Sequence, residues 1–254
     1  MTDAFSAGEF LIRYKEENIR EEILWENHCH AGFEMIAVLT GDIRITLESR
    51  EYRLTAGDAI IIPPLCYHTI SANKKSPYRR LTADFGGDAI PAPISAPFYS
   101  KPPFPFRTSG GILEELAELF FKAERELYSP LAMALMVELL YAAYSAEDSE
   151  SQLFDDPLVS GAVEYIDSHL CEELSLSAVA ERLSTSKSLL CHRFKEKMKI
   201  SPKQYIIKKR LALAAKLIRE GASPTEAALF VGYDNYSNFY RMYKKHLNIL
   251  PSER

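Results

Sequence analysis

Long apolar runs are missing from this chain: nothing in it approaches the ~18 uninterrupted apolar residues that span a bilayer. The first ten residues carry Asp3 and Glu9 and lack an apolar stretch behind a basic start, so they do not read as a secretory signal. A cytoplasmic protein with no membrane partner is expected. Cysteine is scarce as well, four in 254 residues, and Cys29, Cys66, Cys171 and Cys191 include no C-x-x-C pair. That argues against a disulfide framework and a zinc cluster. Tryptophan occurs once, as Trp25. What remains, 47% hydrophobic and 26% charged residues, is the composition of a globular chain long enough for two ordinary domains or one large one.

The net charge of −5 conceals a division at Pro157. Residues 1–156 hold 14 Lys and Arg against 25 Asp and Glu, whereas residues 157–254 hold 16 against 10. An acidic body joined to a basic module suits a domain that meets nucleic acid, because Lys and Arg near phosphates release condensed counterions.

From Phe10 to Ile70, short apolar runs are broken by turn residues. Ile43, Ile45 and Leu47 alternate with Arg44, Thr46 and Glu48, and the run Ala59 to Ile62 ends at Pro63-Pro64, which predicts a β-rich region. Residues 86–110, with Gly86, Gly87 and six prolines, predict an irregular connection along the outside of the β part. Leu113, Leu116, Ala117, Phe120 and Phe121 then recur at helical spacing, as do Leu131, Leu135, Val137, Leu139, Leu140 and Tyr144, so two helices are expected. The acidic stretch Ala146 to Asp156 has the composition of a linker.

The last hundred residues contain a repeat. Leu176, Val179, Ala180 and Leu183 precede Ser186, Leu190 and Phe194; Thr225, Ala228, Val231 and Gly232-Tyr233 precede Ser237, Phe239 and Tyr243, and each half ends in basic residues. Each half predicts a short helix, a tight turn and a second helix, the helix-turn-helix arrangement. Between them a helix from Pro202 to the stop at Gly221 is expected. About 18 residues at ~1.5 Å each would hold two reading heads ~27 Å apart, within reach of successive major-groove faces about one turn, ~34 Å, apart. With Leu190, Phe194 and Met198 inward, Lys187, Ser188, Cys191, His192 and Lys195 are left for DNA. With Phe239, Tyr243 and Leu247 inward, Asn235, Tyr236, Ser237, Tyr240, Arg241 and Lys244 are left. Arg241 is the candidate for base readout, because its fork can pair with guanine O6 and N7; the lysines and Ser237 suit phosphates.

Residues 158–254, through "LSLSAVAERLSTSKSLLCHRFKEKMKISPKQYI", "RLALAAKLI" and "PTEAALFVGYDNYSNFYRMYKKHLNILPSER", resemble the DNA-binding domain of AraC/XylS-type transcription regulators. Ser184, Lys199 and Asn248 stand where that family commonly has glycine. Upstream, "HCHAGFEMIAVLTG" and "GDAIIIPPLCYH" resemble the two motifs of cupin β-barrels, with Leu65 in place of a glycine. The resemblance implies an α+β protein: a cupin-like β-barrel followed by two helices, serving for effector binding and dimerisation (residues 1–150), then an all-α domain with two helix-turn-helix units for DNA binding (residues 157–254).

Double-stranded DNA, a small-molecule effector, the transcription machinery and a second copy of the chain are the implied partners, with activation and repression both open. His28, His30, Glu34 and His68 would face the effector, with Trp25 either closing the barrel core or stacking on a sugar. The expected site is metal-free and the expected function non-enzymatic. Three imidazoles and a carboxylate nevertheless suffice for a divalent transition metal, so the alternative is a metal-dependent cupin-type enzyme fused to a DNA-binding module. The stripe Leu131, Leu135, Leu139, with Met136, Leu140 and Tyr144, places the expected homodimer interface in residues 130–145.

Overall fold

Apolar alternation, and its absence, sort the strands into two sheets. Phe33 to Leu39 is almost continuously apolar, the pattern of a strand covered on both faces, whereas Ile43, Ile45 and Leu47 are buried and alternate with wetter residues. In the computed structural model, which describes residues 2–18, 23–24, 28–30, 32–72, 77–86, 89, 98, 103–108, 110–146, 152–154, 156–247 and 250–251, the chain forms two compact units, residues 1–154 and 155–254.

The first unit contains strands β1 (Thr2–Ala7), β2 (Phe10–Asn18), β3 (Ile23–Leu24), β4 (Phe33–Thr40), β5 (Asp42–Leu47), β6 (Arg50–Thr55), β7 (Asp58–Ile62), β8 (His68–Ala72), β9 (Pro77–Phe85), β10 (Phe106–Arg107) and β11 (Gln152–Phe154). They form a six-stranded sheet in the order β1-β2-β9-β4-β7-β10 and a five-stranded sheet in the order β11-β6-β5-β8-β3, with antiparallel pairing throughout. The expected barrel is therefore cupin-like but not closed: the described strands make two facing sheets. Gly41 (φ 110°) and Gly57 (φ 88°) sit at the tight turns where the chain leaves one sheet for the other, and only glycine takes such backbone without strain. Corners of this kind replace a continuous ladder.

Two cores follow from this layering. Ile36, Val38, Ile43, Ile45, Leu54, Ile60 and Ile70 fill the space between the sheets. Ile12, Phe33, Met35, Leu81 and Ala83, on the other face of the six-stranded sheet, pack with α1 (Ile112–Glu118) and α2 (Ser129–Ser145) through Leu113, Leu116, Leu135, Met136, Leu139 and Leu140. Phe121 differs from expectation. The chain tightens to a 3-10 turn at Leu119–Phe121, and Phe121 points largely to solvent. The interface stripe must also be redrawn, because Leu135, Met136, Leu139 and Leu140 belong to the core while Leu131, Met133, Val137, Tyr141 and Tyr144 are the exposed apolar residues of α2. In the breaker-rich stretch 86–110, β10 joins the edge of β7, and Ala89 and Phe98 pack against the helix-side core. The stretch 146–156 is not simply a linker, since β11 pairs with β6.

The second unit is helical: α3 (Pro157–Ser168), α4 (Leu176–Arg182), α5 (Lys187–Met198), α6 (Pro202–Arg219), α7 (Pro224–Phe230) and α8 (Tyr236–Leu247). Side-chain caps set most of the starts. Asp156, Ser175, Ser186, Ser201 and Ser223 each accept a backbone N–H of the first turn, and Ser201 and Ser223 complete capping boxes with Gln204 and Glu226. The repeat seen in the sequence becomes a repeat of hydrogen bonds. Thr185 N–H donates to the Ala180 carbonyl and Ser184 N–H to that of Glu181; Tyr233 N–H donates to Ala228 and Gly232 N–H to Leu229. Both turns are Schellman closures through a left-handed residue, Ser184 (φ 51°) in one and Gly232 (φ 81°) in the other.

Candidate functional site

The inter-sheet cluster is assembled by register. Side chains alternate along a strand, so Glu34 shares a face with Ile36 and Val38, and His68 with Ile70 and Ala72; both faces look into the space between the sheets. The loop carrying His28 and His30 is pinned to the start of β8 by backbone bonds: His28 N–H to the His68 carbonyl, His68 N–H to the His28 carbonyl, and Leu65 N–H to the His30 carbonyl. Leu65 takes the left-handed conformation (φ 67°) at the position where the motif has glycine. Four ligand atoms, one each from His28, His30, Glu34 and His68, thereby lie within 4.8 Å of one another. Glu34 Oε2 is 3.2 Å from His30 Nε2 and 3.0 Å from His68 Nε2, and the side chains of Glu34 and His68 are 12% and 0% exposed. Trp25, the remaining expected effector contact, lies outside the described residues.

These contacts have ion-pair distances without hydrogen-bond direction, and His30 Nε2, Glu34 Oε2 and His68 Nε2 are buried with no directed partner. Burial opposes the charge on Glu34, but His30 and His68 outweigh it and hold the carboxyl well below the usual carboxylate range. His68 Nδ1 lies 3.1 Å from the Cys66 carbonyl, which can only accept. With Nδ1 donating there, Nε2 is the ring atom that faces the carboxylate oxygen, and a proton or a cation between the two makes that approach favourable. A metal-bound histidine typically donates its other nitrogen to a carbonyl in this way. The four residues thus fit a divalent transition metal.

A second feature of this face escaped the sequence reading. On β2 and β9, Arg13, Lys15, Glu17, Arg80, Thr82 and Asp84 alternate with residues of the helix-side core and so share the inter-sheet side with Glu34. Asp84 stands directly opposite Glu34, and like charges in that relation repel. Arg13 relieves Asp84 through an ion pair, and Lys15 pairs with Glu17 at 2.9 Å. The signal was present as polar residues alternating with Ile12, Tyr14, Leu81 and Ala83, but period-2 patterning cannot say whether the polar face meets bulk water or another sheet.

In the second unit, Leu190, Phe194, Met198, Phe239 and Tyr243 are buried. Lys187, Ser188, His192 and Lys195 on α5 are exposed and Cys191 is half-buried; Asn235, Tyr236, Ser237, Tyr240, Arg241 and Lys244 in and before α8 are all exposed. Asn235 accepts from the Asn238 N–H at 3.0 Å, and Arg241 donates to Asn238 Oδ1 at 3.1 Å, so Asn238, which the sequence reading passed over, orients the guanidinium. Arg193 was also passed over. It turns to the flank of α5 and binds Asp156 at 2.6 Å.

Two helix-turn-helix units in a basic module, joined to a unit built of cupin-like sheets, define the class of DNA-binding regulators that carry a sensing domain. Comparison with known proteins makes the assignment specific. Residues 14–140 match the model of the AraC-like ligand binding domain and residues 179–254 that of a helix-turn-helix domain. The chain belongs to the AraC family of transcription regulators, with a ligand-binding and a DNA-binding part. It is 24% identical to the uncharacterized HTH-type transcriptional regulator YdiP of Escherichia coli (strain K12), covering 90% of this chain and 81% of that one. It is 25% identical to the uncharacterized HTH-type transcriptional regulator YobQ of Bacillus subtilis (strain 168), covering 90% and 88%. Among solved structures, fatty-acid-bound ToxT of Vibrio cholerae aligns over 97% of this chain and 94% of its own, with 12% identity and a TM-score of 0.43. Among the described residues no helix is long and apolar enough to cross a membrane.

Proposed function

We propose that this regulator binds a small polar effector, of carbohydrate type, between its two sheets and thereby changes which DNA half-sites α5 and α8 hold. The observation that carries the reading is the charged and hydroxylated inter-sheet face of β2 and β9, contiguous with the histidine cluster. Polar walls of this kind favour a ligand with many hydrogen-bonding groups over an apolar one. No enzymatic step is needed, because an effector acts through its differential affinity for two states. The test is a thermal-shift screen of the full chain with sugars, sugar acids and fatty acids: stabilisation by a polar member supports the reading, and stabilisation by fatty acids alone overturns it.

The DNA contacts proposed are Lys187, Ser188, Cys191, His192 and Lys195 from the first reading helix and Asn235, Tyr236, Ser237, Tyr240, Arg241 and Lys244 from the second. Arg241→Ala is expected to cost about 1 to 3 kcal/mol on a selected site and to relax its sequence preference. Equal loss on all sequences in an anisotropy titration would make Arg241 a phosphate contact instead.

The geometry at His68 favours a second reading of the same cluster, in which His28, His30, Glu34 and His68 hold a divalent transition metal. The ion would sit between the imidazoles and the Glu34 carboxylate, and it is the feature that an enzymatic role would require. Elemental analysis of untagged protein is expected to find close to one equivalent, lost in His30→Ala/His68→Ala. Less than about a tenth of an equivalent returns the cluster to the metal-free effector site.

For assembly, the proposal is a homodimer through the exposed face of α2, Leu131, Val137, Tyr141 and Tyr144, which would bring four helix-turn-helix units to one promoter beside the transcription machinery.

A further inference from the structure

We propose that Arg210 on α6 is the positioning residue that fixes the separation of the two reading helices, by clasping the segment that enters the first helix-turn-helix unit to the turn of the second. The inference rests on the reading of α5 and α8 as DNA-reading helices. All the residues concerned belong to the second compact unit, residues 155–254.

Arg210 places three donors on three backbone carbonyls. Nε donates to Leu170 at 2.8 Å, Nη2 to Glu172 at 2.6 Å and Nη1 to Gly232 at 3.2 Å. Leu170 and Glu172 follow the end of α3 and lead into α4; Gly232 follows the end of α7 and leads into α8. Carbonyls at and just past a helix C-terminus carry negative potential, so a guanidinium set between two such ends is favoured by both. The guanidinium is also a rigid plane. Neither segment can shift against the other without lengthening one of these bonds.

The two segments seat the two reading helices. Glu172 lies three residues ahead of Ser175, the cap that starts α4, and α4 packs against α5. On the other side, Tyr233 follows Gly232 and sets its ring edge-on against Phe239 of α8, with centroids 5.5 Å apart. The contact at Gly232 is also sterically specific. Its backbone is left-handed (φ 81°), and a Cβ added there would lie 3.1 Å from the guanidinium carbon and from both terminal nitrogens. The matching turn of the first half accommodates Ser184 (φ 51°). Matching Ser184 with Gly232 and Thr185 with Tyr233 brings Arg210 onto Ala162, which is fully buried. The halves therefore share their turn geometry, but at this position only the second carries an arginine, and that arginine reaches back to the first.

For DNA the consequence is a preferred spacing. One base pair added between two subsites moves the second by ~3.4 Å and turns it by about a tenth of a revolution. A rigidly joined pair of reading helices rejects such a site, whereas a loosened pair follows it.

The test uses the full chain and a duplex selected by it, varied by adding or removing one base pair between the two contacted subsites. Arg210→Lys keeps the charge but offers one nitrogen in place of the fork. It is expected to lose about 10-fold of the discrimination against the shifted duplexes, the equivalent of one charge-assisted hydrogen bond, while binding to a duplex with a single subsite stays the same. Gly232→Ala, which crowds the guanidinium from the other side, should give the same profile. Amide exchange without DNA should rise in Arg210→Lys at Glu172 and at Gly232 and Tyr233 together, with α5 still protected. An unaltered spacing preference, equal losses on single-subsite and two-subsite duplexes, or exchange that rises in only one of the two segments overturns the proposal. A wild-type chain that binds no duplex overturns the reading of α5 and α8, and the proposal with it.

Discussion

At the scale of single residues, the backbone exposes positions where the chain carries strain that glycine would remove. Leu65, Ser184 and Lys199 are left-handed, at sites where related motifs have glycine. Ser184→Gly and Lys199→Gly are each expected to stabilise by about 0.5 to 1 kcal/mol, read from the denaturant midpoint. Glu48 (φ 55°) should behave oppositely, because its Oε1 accepts the Tyr67 N–H at 2.9 Å and glycine would leave that donor without it. His246 sets a pH dependence. Burial, and then the charges of Lys208 and Lys245, lower its pKa in the fold, so the unfolded chain takes up its proton first. Stability from this group is complete above the unfolded value of about 6.5 and declines as the pH falls through it, and His246→Gln should remove that part of an acid titration of the melting temperature.

Single elements show how burial decides the consequence of a substitution. On α2, Leu135 and Leu139 lie in the helix-side core, so Leu135→Glu or Leu139→Glu should unfold the first unit. Val137→Glu with Tyr141→Glu, on the exposed face, should leave the fold intact and convert the proposed dimer to a monomer. Sedimentation equilibrium of the full chain separates these outcomes, and a wild-type monomer at high micromolar concentration would sink the interface. On α6 the controlling feature is Lys209, whose side chain is 6% exposed and binds Asp167 at 2.8 Å, with Tyr205 donating to the same carboxylate. Asp167→Ala takes the counter-charge from a buried ammonium. The expected cost is about 2 to 4 kcal/mol in denaturant unfolding, reduced from the fully buried case because Asp167 is partly wet.

Across the whole molecule, the separation of an acidic and a basic half implies strongly salt-dependent binding to duplex DNA, since each phosphate contact contributes close to unit slope to the logarithmic salt plot. Substituting Lys187, Lys195 or Lys244 by alanine should lower that slope by about 1 each with little effect on sequence preference. The sequence by itself determined a great deal. The repeat and the start at Pro202 were legible because their signals are local; the caps supplied by Ser175, Ser186, Ser201 and Ser223, each accepting the N–H three positions on, were not read from the sequence. The buried stripes of α5 and α8 were legible because helical periodicity is local. The H-x-H-x3-E and later His68 were legible as a motif, though not as a site with directed geometry. Tertiary structure alone decided which residues of α2 are core, because several of its faces are apolar and only the packed sheet selects among them. It alone set Arg13, Lys15, Arg80 and Asp84 on the face of the sheet that Glu34 shares, and it alone joined Gln152–Phe154 to β6 and Asp156 to Arg193. Those relations connect residues far apart in the chain, and the free energy that selects them comes from desolvation and charge pairing, which appear only when the segments meet.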